Sequence, residues 1–189
     1  NVECQNETKV EMAFRGSVDK TDWTKSDVQI AKGTPKKDPL FLKDQQDYEK
    51  VIAKYGTNIH VSGHSLGGAR AYEIVRSNVD KNPHLYGTGF NQGNSPFNKE
   101  HKEDYKLCKN NPDQPICTHY ILHRNDTDFV PWKGNHGGSV IEWKGPSNLT
   151  GSRGHCEING IDLCDPNSIQ FQRDVNDPMY NPRGIWGFA

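Results

Sequence analysis

Residues 63–67 read Gly-His-Ser-Leu-Gly, and this pentapeptide constrains the fold more than any other stretch of the chain. Glycines two positions either side of a serine suit a bend so sharp that backbone passes where a Cβ would sit. The flanking residues define the bend further. Asn58-Ile-His-Val-Ser62 is a short β-prone run, and Leu66, Ala69, Tyr72, Val75 and Val79 then recur at helical spacing. A strand, a tight turn and a helix follow one another. Such a turn raises the Ser65 hydroxyl and leaves the first helical amides facing it, so the Leu66 N–H can donate to a developing oxyanion. Ser65 is therefore the candidate nucleophile.

The surrounding pattern predicts an α/β chain. Val10–Gly16 alternates apolar with polar and ends at glycine, as a strand entering a loop does; residues 17–43 are charged, contain Pro35 and Pro39, and read as loop. Tyr48, Val51, Ile52 and Tyr55 mark an amphipathic helix over 44–55, with Asp44 as N-cap and Gly56 just past the end. Further strands are expected over 86–91, 119–123 and 139–143. A chain of 189 residues suits one domain, here with an irregular tail over 173–189.

Charge argues against some partners. With 23 basic and 24 acidic residues there is no general attraction to nucleic acid or to an anionic membrane, and any membrane-surface contact would be local and transient. No apolar run approaches the ~20 residues that span a bilayer, and the N-terminus lacks a signal-peptide profile, as expected of a mature or trimmed chain. Of the five cysteines, Cys108/Cys117 and Cys156/Cys164 are short-range pairs closing Asn- and Asp-rich loops and are expected as disulfides, with Cys4 left over. Sequons at Asn6, Asn125 and Asn148 fit a secretory route. No metal-ligand spacing occurs, and no cofactor is implied.

Four segments in order resemble the class 3 (fungal-type) triacylglycerol lipase family. They are Ala13-Phe-Arg-Gly-Ser17 followed by Asp22-Trp23, Val61-Ser-Gly-His-Ser-Leu-Gly-Gly68, Phe90-Asn-Gln-Gly-Asn94, and His123-Arg-Asn-Asp-Thr-Asp-Phe-Val-Pro131. The resemblance implies a reduced α/β-hydrolase fold, with a mostly parallel sheet and helices on both faces. It makes Ser17 an oxyanion-hole donor beside Leu66, and Asp128, which precedes Phe-Val-Pro, the triad acid. Asp126 is the alternative acid, since the family's Asn-Asp pair also aligns with Asn125-Asp126. His155, after a glycine-rich approach, falls where the family places its base, although the following Cys156–Cys164 stretch departs from the usual helix. His136 resembles a structural position, His64 a variable one, and His60 and His119 ordinary strand residues.

The expected activity is that of a serine carboxylic-ester hydrolase, whether lipase, phospholipase or esterase, acting on a lipid or small ester through an acyl-enzyme. An acyltransferase would use the same groups, and the alternative from another class is an inactive lipase-like fold serving as a binding module. Elements that the family has upstream do not precede the first strand here, which leaves a trimmed chain or a minimal fold. Val18–Thr24 offers only Val18 and Trp23 among charges, so no large apolar lid is expected. Leu40-Phe41-Leu42 is expected to pack onto the helix that follows it. Oligomeric state is open.

Overall fold

A computed structural model describes residues 9–16, 39–93, 98–126, 128, 136–144, 155, 157–158 and 161–162. Five strands, β1 (Val10–Phe14), β2 (Ile59–His64), β3 (Leu85–Phe90), β4 (Tyr120–Asn125) and β5 (Ser139–Trp143), form one sheet in the order β1-β2-β3-β4-β5. Every neighbouring pair is parallel. Among the described residues, the helices between them are α1 (Pro39–Tyr55), α2 (Leu66–Asn78), α3 (Lys99–Asn110) and α4 (Pro115–His119). Beyond β5, β6 (Glu157–Ile158) and β7 (Ile161–Asp162) form an antiparallel pair. The fold is of the α/β class.

Among the described residues, the helices that join the core pack on one face of the sheet. Phe14, Ile59, Val61, Leu85, Tyr120 and Leu122 point to that side and join Phe41, Tyr48 and Val51 of α1 and Ala71, Ile74 and Val75 of α2 in one core cluster. The strand residues in between, Glu11, His60, Ser62, Tyr86, Thr88 and Ile121, are exposed or half-buried. Their pattern alternates polar with apolar, as in a sheet covered on one side. Across the open face, Glu11 accepts from Ser62 Oγ at 2.7 Å and meets His60 Nδ1 at 2.6 Å, while His60 Nε2 lies 2.9 Å from Thr88 Oγ1.

Helix α1 starts five residues before the expected Asp44. Pro39 occupies its first position, where a missing N–H leaves no helical bond unmade, so a residue read as a loop marker opens the helix. Asp44 is then interior rather than a cap. It is buried and takes Arg70 Nε and Nη2 at 2.6 and 2.5 Å, tying α1 to α2, and burial raises its pKa against the lowering effect of Arg70. Phe41 is buried within α1, whereas Leu42 is 54% exposed. Gly56 does end the helix, at φ 91° with its N–H on Ile52 O.

Helix α3 was not foreseen, because its inward face is polar. His101 Nε2 meets buried Glu73 at 2.6 Å, and Asp104 accepts from Tyr72 Oη at 2.8 Å and from Arg76 Nε at 2.6 Å. Asn98 caps it by accepting the His101 N–H. The Cys108–Cys117 disulfide ties α3 to α4, as the spacing anticipated. Cys4, Cys156, Cys164, Asn6 and Asn148 lie outside the described residues. Asn125 is 1% exposed, so its sequon is closed to a glycan in this fold.

Candidate active site

The elbow is built from close backbone contact. A Cβ on Gly63 would lie 2.3 Å from Gly67 C, and one on Gly67 would lie 2.1 Å from Phe14 O; no side chain fits at either position. Squeezed between β2 and α2, Ser65 adopts φ 55°, ψ −121° and makes no side-chain cap to its own helix. A serine in this region is strained. The frame around it fixes the turn: Ser65 N–H donates to Phe90 O at 3.0 Å, and Ser65 O accepts from Ala69 N–H at 3.2 Å and Gly93 N–H at 3.1 Å.

Leu66, Gly67 and Gly68 precede the first helical bond of α2, so their amides point from a helix N-terminus on the Ser65 side. Gly16, at the end of the β1 segment, comes alongside, since a Cβ there would be 3.1 Å from His64 O and 3.8 Å from Ser65 Cβ. Ser17, the expected oxyanion donor, follows it in the chain and lies outside the described residues.

The structure brings His155 to this elbow. Its main-chain carbonyl accepts from His64 Nε2 at 2.9 Å and from Asn91 Nδ2 at 2.7 Å. Its ring lies against that of His64, with centroids 4.7 Å apart. His155 Nδ1 is 2.8 Å from Asp128 Oδ2, whose side chain is fully buried, while the His155 side chain keeps 14% exposure. With Nδ1–H given to a carboxylate, Nε2 is left as the basic nitrogen. Asp126 is exposed and gives its backbone N–H to Trp143 O at 3.0 Å; the carboxylate that meets His155 is that of Asp128.

His64 is 2% exposed, and burial first, then the neighbouring His155, lowers its pKa to about 4. It is a neutral donor at physiological pH. Asn91 is fully buried, sits at φ 43°, and uses its other amide atom, Oδ1, to accept the Asn125 N–H at 2.9 Å. Neither residue was given a role from sequence, although an asparagine directly after a strand is the side chain that best tolerates a left-handed backbone. His136 is buried, and the adjoining Gly137 packs against Tyr72 and Asp104 on the helix-covered side. His119 stacks on Tyr86. No group of three or more His, Cys, Asp or Glu among the described residues is arranged to hold a metal.

Comparison with family models, with curated proteins and with solved structures found no match to this chain.

Proposed function

We propose that the protein is a serine carboxylic-ester hydrolase with Ser65 as nucleophile, His155 as general base and acid, and Asp128 as the carboxylate orienting His155. The observation that carries the reading is the contact of His155 Nδ1 with Asp128 Oδ2 at 2.8 Å, made by an imidazole seated on the residue before Ser65. A carboxylate on Nδ1 fixes the tautomer that accepts a proton at Nε2 and stabilises the imidazolium that results. The parallel sheet and sequential strand order are compatible with a reduced α/β-hydrolase fold of the class 3 lipase type, folded as one domain.

In the first half-reaction Ser65 Oγ attacks the ester carbonyl carbon while its proton passes to His155 Nε2. The carbonyl oxygen becomes an oxyanion facing the Leu66 amide, with Ser17 as second donor. One such donor contributes about 3–4 kcal/mol to barrier lowering. Collapse expels the alcohol, which takes the proton from Nε2; water then attacks the acyl-enzyme along the same path, releasing the acid and regenerating Ser65. Substrates in this reading are soluble esters or single lipid molecules. The Cys108–Cys117 disulfide favours a secreted or secretory-pathway location, and among the described residues no helix is long and apolar enough to cross a membrane.

A fluorophosphonate probe tests the reading. Labelling mapped to Ser65, lost in Ser65→Ala and slowed at least ~100-fold in His155→Ala, is the expected result. A labelled Ser65→Ala protein rejects the nucleophile, and a wild-type protein that takes no probe and cleaves no p-nitrophenyl ester is a binding module rather than an enzyme.

A further inference from the structure

We propose that His64 and Asn91 are positioning residues, a pair of buried donors that grip the main-chain carbonyl of His155 and thereby set its imidazole against Asp128 and Ser65. The inference rests on the hydrolase reading for its consequence in catalysis, but the geometry stands apart from it.

The two donors approach one acceptor from different strands. His64 Nε2, from the end of β2, lies 2.9 Å from His155 O, and Asn91 Nδ2, following β3, lies 2.7 Å from it. A carbonyl has two lone pairs, so this pair occupies both and fixes the oxygen in two directions. Asn91 does more than donate. Its Oδ1 takes the Asn125 N–H at 2.9 Å, and Asn125 O in turn accepts the Asp128 N–H at 3.2 Å. One buried amide therefore bridges the segment that carries Asp128 and the residue that Asp128 must meet. Only one orientation of that amide satisfies both partners, since Asn125 presents a backbone donor and His155 a backbone acceptor. The His64 ring also backs the His155 ring at 4.7 Å.

His155 needs such a grip. It lies outside the five-stranded sheet, and the strands of the β6–β7 pair after it are two residues each. A misplacement of the base by about 1 Å costs on the order of 100-fold in rate. Neutrality is also required of the partner: a charged ring 4.7 Å from that of His155 would oppose formation of the imidazolium. His64 meets this by its burial, and its Nε2–H faces the carbonyl rather than a carboxylate. Asp128, from the segment after β4, and His64, from β2, are titratable groups that face His155.

Three variants separate positioning from bulk stability. His64→Phe keeps a ring and removes the donor; Asn91→Asp keeps the acceptor for Asn125 and removes the donor to His155; His64→Gln restores an N–H at a similar reach. The readouts are the rate of fluorophosphonate labelling of Ser65 and the low-field proton NMR resonance of the His155 Nδ1–H, in full-length protein with native circular dichroism. We expect labelling to fall about 10-fold in His64→Phe and about 100-fold in Asn91→Asp. The low-field resonance should move upfield or broaden away in both as the hydrogen bond to Asp128 loosens, and His64→Gln should stay within about 3-fold of wild type in rate. Folded His64→Phe and Asn91→Asp proteins with the wild-type resonance and labelling rate overturn the proposal. A wild-type protein without labelling overturns the hydrolase reading alone, and the NMR resonances then decide the positioning claim. Should His64→Phe fail to fold, a wild-type resonance in Asn91→Asp is still sufficient to refute it.

Discussion

Acid should destabilise this fold through one buried ring. His64 is 2% exposed and its pKa is lowered from 6.5 to about 4, chiefly by burial. In the unfolded chain the same imidazole titrates near 6.5. Above pH 7 both states are neutral there and His64 contributes no pH dependence. Between 6.5 and about 4 the unfolded state holds the extra proton, so stability rises with pH across that window and is lost as pH falls. A gap of about 2.5 pH units at 1.36 kcal/mol each gives a loss of about 3 kcal/mol, complete below pH 4. The assay is urea unfolding of wild type and His64→Gln at pH 7.5, 6, 5 and 4. Other groups titrate in the same range, including Asp44, whose pKa is raised by burial, but they are common to both proteins. The difference in unfolding free energy between the two should therefore grow by about 3 kcal/mol, in favour of the variant, from pH 7.5 to 4. Parallel pH curves would refute the reasoning.

Three further outcomes are expected. Gly67→Ala, which drives a methyl to 2.1 Å from Phe14 O, should cost more than about 4 kcal/mol or prevent folding, read by thermal unfolding and soluble yield. Arg70→Met strips a buried Asp44 of its bidentate partner and should cost about 3–5 kcal/mol at pH 7. Because that carboxyl already has a raised pKa, the penalty should shrink as pH falls, and Asp44→Asn in the same background should recover part of it. Replacing Cys108 and Cys117 by alanine opens a loop of sequence separation 9 and should cost about 2–3 kcal/mol in denaturant unfolding. It should leave the Ser65 labelling rate unchanged, since the disulfide joins α3 to α4 and touches none of the groups around Ser65.

All five sheet strands were legible from sequence because each is a short β-prone run. Helix α2 was legible because Leu66, Ala69, Tyr72 and Val75 write its buried side in apolar residues. Helix α3 was not, because its buried side is written in His101 and Asp104, which no hydropathy pattern detects until Glu73, Tyr72 and Arg76 are seen opposite them. The start of α1 was missed for a different reason: Pro39 fits a loop and a first helical turn equally well, and Asp44 resembles a cap until Arg70, 26 positions away, is brought to it. At the candidate site, motif spacing was enough to mark the sharp turn at Ser65, whereas Asp126 and Asp128 are separated by which one reaches His155, a distance that spacing does not encode. Asn91 and His64 were invisible as partners because both act on a main-chain carbonyl, and a carbonyl carries no residue identity.

Two separate sets of contacts hold the candidate site. Ser65 is fixed from the helix-covered side, where Gly63 and Gly67 let α2 press onto β1 and β2. His155 is held at the C-terminal ends of the strands, through His64 at the end of β2 and Asn91 just after β3. Substitutions in the first set act on the core, so they should lower global stability together with activity. Those in the second meet only a few buried atoms at the strand ends, and their effect should fall on the base first. The proposed chemistry thus depends on the C-terminal edge of the sheet, where His64 and Asn91 supply the two donors that hold the imidazole.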